Sequence, residues 1–308
     1  MTSPRISWTL RGPFLFAAFT GLAAAACGDS GSAGSEATYA KDVLVDTEWV
    51  EQHMADPNVR LVEVGTNLDA FNEGHVQGAA FLTLGQLSNP DDPIRAQIAT
   101  AAGVSQALSD IGVERDQTVV LYDNASNLRA ARAYWVLKYY QHENVRVYNG
   151  GSGKWVADGR DLTVDVADFP SSDYQAGQPD PEIRTSFQYV VEHIDDPSTL
   201  FCDARSPDEH LGRDVRAERG GHVPGSINVE WSSAVNSDGT FKSADVLAAL
   251  YEGAGFTPDK QIVTYCHSGT RAAHTWFVLR ELLGFPDVRN FDGSWIEYGN
   301  NPDSPVES

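Results

Sequence analysis

The sequence predicts an α/β protein built from two similar units in tandem, each a parallel sheet flanked by helices and related by internal duplication. Three observations predict it: a repeated order of motifs, short continuous β-prone runs, and apolar residues at helical spacing beside them. In the first half, Leu61-Val62-Glu63-Val64 leads to Gly74-His75-Val76-Gln77-Gly78, and in the second Leu200-Phe201-Cys202-Asp203 leads to Gly221-His222-Val223-Pro224-Gly225. Val119 to Tyr122, followed by Arg129 to Leu137, is echoed by Ile262 to Tyr265, followed by Arg271 to Leu279. The exits agree as well, Val147-Tyr148-Asn149-Gly150-Gly151 against Asn290-Phe291-Asp292-Gly293-Ser294. The offset is about 140 residues, and the order never changes.

Each element has a local reason. Ile262 to Tyr265 is a short apolar run suited to a strand covered on both faces. Ala272, Trp276, Leu279 and Leu283 recur at helical spacing as core residues packed on the sheet, and Gly284 stops the helix. The predicted boundaries are 41–157 for the first unit and 182–303 for the second. Residues 158–181, rich in Asp, Pro, Gly and Ser, read as a linker over the surface. Gly150-Gly151-Ser152-Gly153-Lys154 imitates a phosphate-binding loop but lacks the spacing, and Trp155 stands where Ser or Thr should follow.

Residues 1–26 carry Arg5 and Arg11, no acid, and an apolar run from Pro13 to Ala26 too short for a mature membrane helix. They read as an export signal. Ala24-Ala25-Ala26-Cys27 with the Gly/Ser-rich stretch after it resembles a bacterial lipobox, although Ala24 stands where Leu is usual. Cleavage before Cys27, lipid on its thiol and a flexible tether over 27–40 are therefore expected. That places the chain on a bacterial membrane, facing the periplasm or exterior. Cleavage at the A-x-A site, leaving a soluble periplasmic protein, is the alternative.

The formal charge of −21 and the sequence pI near 4.6 set the surface against nucleic acid and anionic lipid. A small anionic ligand would need local positive charge. Beyond Cys27, Cys202 and Cys266 remain, with no C-x-x-C and no zinc-type spacing, so no metal site is expected. The two could form a disulfide in an oxidising compartment, but nothing in their spacing demands it.

The chemistry concentrates in Cys266-His267-Ser268-Gly269-Thr270-Arg271, between the end of a predicted strand and the start of a predicted helix. Open α/β sheets place ligand sites there. Backbone N–H groups of a tight loop, the free amides of the helix terminus and Arg271 all favour a cysteine thiolate. Gly269 supplies the conformational freedom. A thiolate in such a ring is a nucleophile towards sulfur, and the ring would stabilise a persulfide anion.

These residues resemble the rhodanese family over nearly all of the chain beyond the leader. The resemblance is carried by Asp203-Ala204-Arg205 with Glu209, Gly221 to Gly225, the Cys266 to Arg271 loop, His274 to Gly284, and Asp292-Gly293-Ser294-Trp295. It is strongest towards bacterial two-domain thiosulfate sulfurtransferases. It implies two rhodanese-like domains and transfer of the outer sulfur of thiosulfate to Cys266, then to cyanide or a thiol, by ping-pong kinetics. No cofactor is implied. Arg271, Arg205, His267, Ser268, Gly269 and Thr270 would bind the donor. Arg205 has an alternative as the salt-bridge partner of Glu209, Arg271 as a solvent-facing residue of the first helical turn, and His267 as an idle loop histidine. Asp203 is expected to be structural.

The first unit departs from the pattern at Asp123, which stands where the nucleophile should be, in a loop one residue longer. A carboxylate cannot form a persulfide, so that unit is expected to be catalytically silent, walling the site of the other. Three other readings remain. A 3-mercaptopyruvate sulfurtransferase shares the fold but has small neutral residues after the cysteine, where His267 and Arg271 suit an inorganic dianion. A phosphatase would need five residues between Cys and Arg, and four separate Cys266 from Arg271. A non-enzymatic sulfur carrier or redox-responsive module would keep the same loop.

Overall fold

The computed structural model describes residues 38–308. The leader, Cys27 and most of the 27–40 segment lie outside the described residues. Ten strands form two five-stranded parallel sheets. The first contains β1 (Leu44–Val45), β2 (Val59–Gly65), β3 (Ala80–Thr83), β4 (Thr118–Tyr122) and β5 (Val145–Tyr148), in the order β1-β5-β4-β2-β3. The second contains β6 (Arg184–Thr185), β7 (Thr199–Asp203), β8 (Ile227–Asn228), β9 (Gln261–Tyr265) and β10 (Val288–Phe291), in the order β6-β10-β9-β7-β8. The orders are identical once the strands are matched, as duplication requires. Residues 262–265 of β9 and 119–122 of β4 are buried, because helices cover both faces of each sheet.

Register refines the repeat. Asp203 lies opposite Tyr265 and Glu63 opposite Tyr122, so the counterpart of Asp203 is Glu63. Two residues on, Gly65 stands where the second unit has Arg205.

The helices Leu128–Tyr139 and Thr270–Phe277 follow β4 and β9 and pack against each other. Ala272, Trp276 and Leu279 are buried as expected. Their packing is not on the sheet alone, however, because the Thr270 helix is also covered by its counterpart from the other unit. Tyr134 meets Phe277 edge-on with ring centres 4.8 Å apart, and one apolar core runs through both units. The described residues form one compact body. The predicted helix changes after Phe277 into a π-helical turn, Val278–Leu282, and Gly284 ends it at φ +74°. Leu283 is only half-buried.

The segment 158–181 has no helix or long strand but is pinned down. Thr163 bridges to His75, and Tyr174 is buried beside His142 and Arg115. The stretch expected as a free tether is already held at its end: Tyr39 donates to Lys242 O and Ala40 N to Leu282 O. The second unit also runs past residue 303, since Glu307 pairs with His222 through backbone bonds. Among the described residues, no helix is long and apolar enough to cross a membrane.

Candidate functional site

Cys266 directly follows β9, and its side chain lies against Ala204, Ala272 and Trp231 at 1 % exposure. The loop after it is held from beneath by Ser294. The Ser294 hydroxyl accepts Cys266 N–H at 3.1 Å and Gly269 N–H at 3.0 Å, and donates its only proton to Phe291 O at 2.9 Å. The same hydroxyl stands 4.0 Å from Cys266 Sγ, a longer contact that competes with the bond to Phe291 O for its single proton. Trp295 N and Ile296 N donate to the carbonyls of Cys266 and His267 at 2.9 Å each. Ser294 sits at φ +51°, a left-handed conformation that costs energy for a side-chain-bearing residue. Those five bonds offset it.

With two amides on Ser294, those of His267, Ser268, Thr270, Arg271 and Ala272 find no acceptor among the described residues. The other unit shows where such amides point. There the Asp123 carboxylate accepts four backbone N–H bonds, from Ala125 and Asn127 on Oδ1 and from Arg129 and Ala130 on Oδ2, at 2.6–3.0 Å. Arg129 and Ala130 are the counterparts of Arg271 and Ala272. Burial pushes the Asp123 carboxyl up while those bonds act against it. An acidic side chain thus fills the ring that the second unit leaves open around a thiol.

Charges surround the mouth. Arg271 donates through both terminal nitrogens to Glu209, at 2.6 and 2.9 Å. Burial works to raise the Glu209 carboxyl, but the hydrogen bonds and charge of Arg271 outweigh it and bring it down to about 2. Glu209 is placed by its own helix start, a capping box with Ser206. Arg216 approaches the same carboxylate at 3.8 Å. His267 is half-buried; burial disfavours its charged form first, and the positive charges of Arg271, Arg95 and Arg216 reinforce this against Glu209. The surroundings of His267 thus disfavour its charged form. Ser268 and Thr270 are half-buried on the loop, and Gly269 takes φ +81°.

The expectation for Arg205 is corrected. Its guanidinium is 2 % exposed, forked onto Asp203 at 2.6–3.1 Å, bonded to Gly221 O at 2.8 Å and stacked 4.5 Å from the Trp295 ring. It makes no hydrogen bond to the 266–271 loop, and its carboxylate partner is Asp203, not Glu209. Asp203 is a junction, as expected of a structural residue: it also accepts from Tyr265 Oη and meets His210, each at 3.0 Å. Sequence reasoning missed Ser294, Arg95 and Arg216 as site residues. Ser294 lay in the quoted Asp292-Gly293-Ser294-Trp295 run, but neither arginine belongs to a motif.

Cys202 and Cys266 are both free thiols. Cys202 is fully buried in the core, where burial and then the charge of Asp203 push its thiol well up. Its thiolate is thereby disfavoured. No cluster of three or more metal-ligating side chains occurs among the described residues. A cavity of about 490 Å³ bordered by Arg184, Tyr189, Arg289 and Glu297 does not include Cys266 in its wall.

Comparison with known proteins agrees with this architecture. The rhodanese-like domain family matches residues 46–158 and again 186–301. A Mycolicibacterium smegmatis protein provisionally named a thiosulfate sulfurtransferase is 42 % identical over 274 residues, 86 % of this chain and 98 % of its own length. The sulfur carrier protein TtuD of Thermus thermophilus is 41 % identical over 276 residues, 86 % of this chain and 96 % of its own. Among solved structures, the 3-mercaptopyruvate sulfotransferase SseA of Escherichia coli superposes with TM-score 0.75 at 28 % identity, covering 82 % of this chain and 98 % of that one. The anaerobic ergothioneine biosynthesis enzyme of Chlorobium limicola gives 0.77 at 25 %, covering 86 % and 70 %. With both halves matched and the sheets in the same duplicated order, the chain belongs to the rhodanese family as a tandem of two rhodanese-like domains of sulfurtransferase type.

Proposed function

We propose that this protein transfers the outer sulfur of thiosulfate to cyanide or a thiol through a persulfide on Cys266. The observation that carries the reading is the open ring of amides around Cys266, set beside the same ring filled by a carboxylate in the other unit. The Cys266 thiolate attacks the outer sulfur of thiosulfate. The S–S bond of the donor breaks, and sulfite leaves with its electron pair. The negative terminal sulfur then occupies the ring, where the unpaired N–H groups solvate it as their counterparts solvate Asp123. An acceptor attacks that sulfur, and the bonding pair returns to Cys266 as thiolate. Thiocyanate forms from cyanide, a persulfide from a thiol.

Arg271, Arg95 and Arg216 supply local positive charge on a chain of net charge −21, which supports an anionic donor. Ser268 and Thr270 contribute backbone amides to the ring, whereas the Gly269 amide is held by Ser294 and Gly269 supplies the turn. The first unit, with Asp123 in place of a thiol, takes no part in bond making. Export and lipidation at Cys27 are proposed on the leader alone.

Two relatives favour other assignments: a mercaptopyruvate donor, from the likeness to SseA, or a carrier that hands sulfur to a protein, from the likeness to TtuD. Steady-state turnover with cyanide as acceptor separates them. Thiosulfate is expected to exceed 3-mercaptopyruvate in kcat/KM. The reverse order would transfer the assignment to mercaptopyruvate. Sulfur uptake without turnover on cyanide or small thiols would make the protein a carrier.

A further inference from the structure

We infer that Arg132, on the catalytically silent unit, is a positioning residue that braces the Cys266 loop of the other unit through Asp292. The inference rests on the reading of that loop as the sulfur site. Arg132 lies on the Leu128 helix with its side chain 3 % exposed, and Asp292 is fully buried. Arg132 Nη1 is 2.6 Å from Asp292 Oδ1, a contact of opposite charges without hydrogen-bond alignment. Its other terminal nitrogen donates to Ala96 O at 3.1 Å, and its plane faces the Trp135 ring at 4.7 Å. The second Asp292 oxygen accepts Ile98 N–H at 2.8 Å. The silent unit thus holds Asp292 at both oxygens.

The pair touches the loop directly. A methyl group added at Gly269 would stand 2.8 Å from the Asp292 carbonyl and Oδ1, and 3.1 Å from Arg132 Nη1. The left-handed turn at Gly269 is therefore seated on the ion pair. Two residues after Asp292, Ser294 holds the amides of Cys266 and Gly269. A shift of Asp292 would move the seat and the clasp of the loop together.

A second, independent observation is the asymmetry between the two halves. The duplication puts His274 where the first unit has Arg132, and Asn149 where the second has Asp292. Burial brings the His274 ring down to about 3 against a backbone contact from Ser126, and Asn149 Oδ1 accepts from Asn127 and Phe241 N–H. The silent loop is therefore backed by neutral groups and secured internally by Asp123. The Cys266 loop has no internal carboxylate to gather its amides, and it is the one backed by a buried ion pair. Arg184 also stands 3.5 Å from Asp292 Oδ2, but Arg132 makes the closer contact and is itself buried, and a buried pair of this kind enforces its geometry.

The test is the double variant Arg132→His with Asp292→Asn, which installs at the Cys266 loop the residues that already back the other loop. Three quantities are read: sulfur uptake from thiosulfate by intact mass, the pH profile of Cys266 alkylation by iodoacetamide, and Tm. Uptake at least about tenfold slower, with the alkylation profile moved to higher pH in a folded protein, is expected, since small misplacements of reacting groups cost rates of that order. Tyr134→Leu weakens the same inter-unit contact without touching the loop, and should lower Tm while leaving uptake and alkylation as in wild type. Wild-type uptake and profile in the double variant, or equal slowing in Tyr134→Leu, would overturn the inference. Should the double variant fail to fold, Arg132→Lys decides, because it keeps the charge and loses the forked reach: slowed uptake supports the brace, unchanged uptake refutes it. Alkylation needs no donor, so absent uptake in the wild type counts against the sulfur reading, whereas an unmoved alkylation profile counts against Arg132.

Discussion

At the scale of single residues, the site is a set of charges whose values depend on their neighbours. Arg271 was legible in the sequence as the arginine closing the loop, but its Glu209 partner is 62 residues away and came only from the fold. The pair holds the guanidinium in place while leaving its Nε–H and outer edge available. Arg271→Gln should lower kcat/KM for thiosulfate by about ten- to a hundred-fold, the value of a lost charge-assisted hydrogen bond. The same pair makes a pH prediction. The Glu209 carboxyl is held at about 2, below its ordinary 4.5, so its contribution to stability is complete above 4.5 and lost as pH falls towards 2. In acid-unfolding curves, the wild type should exceed Glu209→Gln above pH 4.5, with the gap closing below. A constant gap across that window would show that the ion pair is not what Glu209 provides. Arg205 shows the opposite case. The Asp203-Ala204-Arg205 run was visible, but direction was not: a strand end can send an arginine to the substrate or back into the sheet edge, and the acceptors at Asp203 and Gly221 decide for the latter.

At the scale of elements, the strand–loop–helix unit was readable because its signals are local. A β-prone run, a loop of small and polar residues and an apolar helical stripe are all contiguous in sequence. The seat of the loop was not readable, because Ser294 is 28 residues on from Cys266 and its value depends on a strained φ that no composition reveals. Nor was the helix end: the stripe through Leu283 is regular, but the backbone widens into a π turn after Phe277. Asp123 joins both lessons. Its presence in place of a thiol could be read directly, whereas its four amide bonds could not. Asp123→Ala should leave turnover within about threefold of wild type, since the site is remote and the chemistry elsewhere. It should destabilise the protein by about 2 kcal/mol or more, because buried donors lose their acceptor. Turnover lost to the extent of a Cys266 variant would show that the first unit takes part in catalysis.

At the scale of the whole molecule, the duplication was the clearest feature of the sequence, and it carried the sheet order of each unit. What it could not show is that the paired helices join the two cores into one. Tyr134 corresponds to Trp276 and Trp135 to Phe277, so the Tyr134–Phe277 contact joins neighbouring, not equivalent, positions, and each reads as an ordinary core residue until the helices are laid together. The first unit then has a physical use: its Leu128 helix covers the helix that begins at the Cys266 loop, and its Arg132 meets Asp292 beneath that loop. The overall acidity is likewise offset locally, by Arg271, Arg95 and Arg216 near His267. All of this centres on one atom, Cys266 Sγ, while Cys202 lies sealed in the core. The most direct measurement is the intact mass of the protein after brief exposure to thiosulfate, with Cys266→Ser and Cys202→Ser in parallel. One added sulfur atom is expected in the wild type and in Cys202→Ser, and none in Cys266→Ser. Sulfur retained by Cys266→Ser would contradict the account.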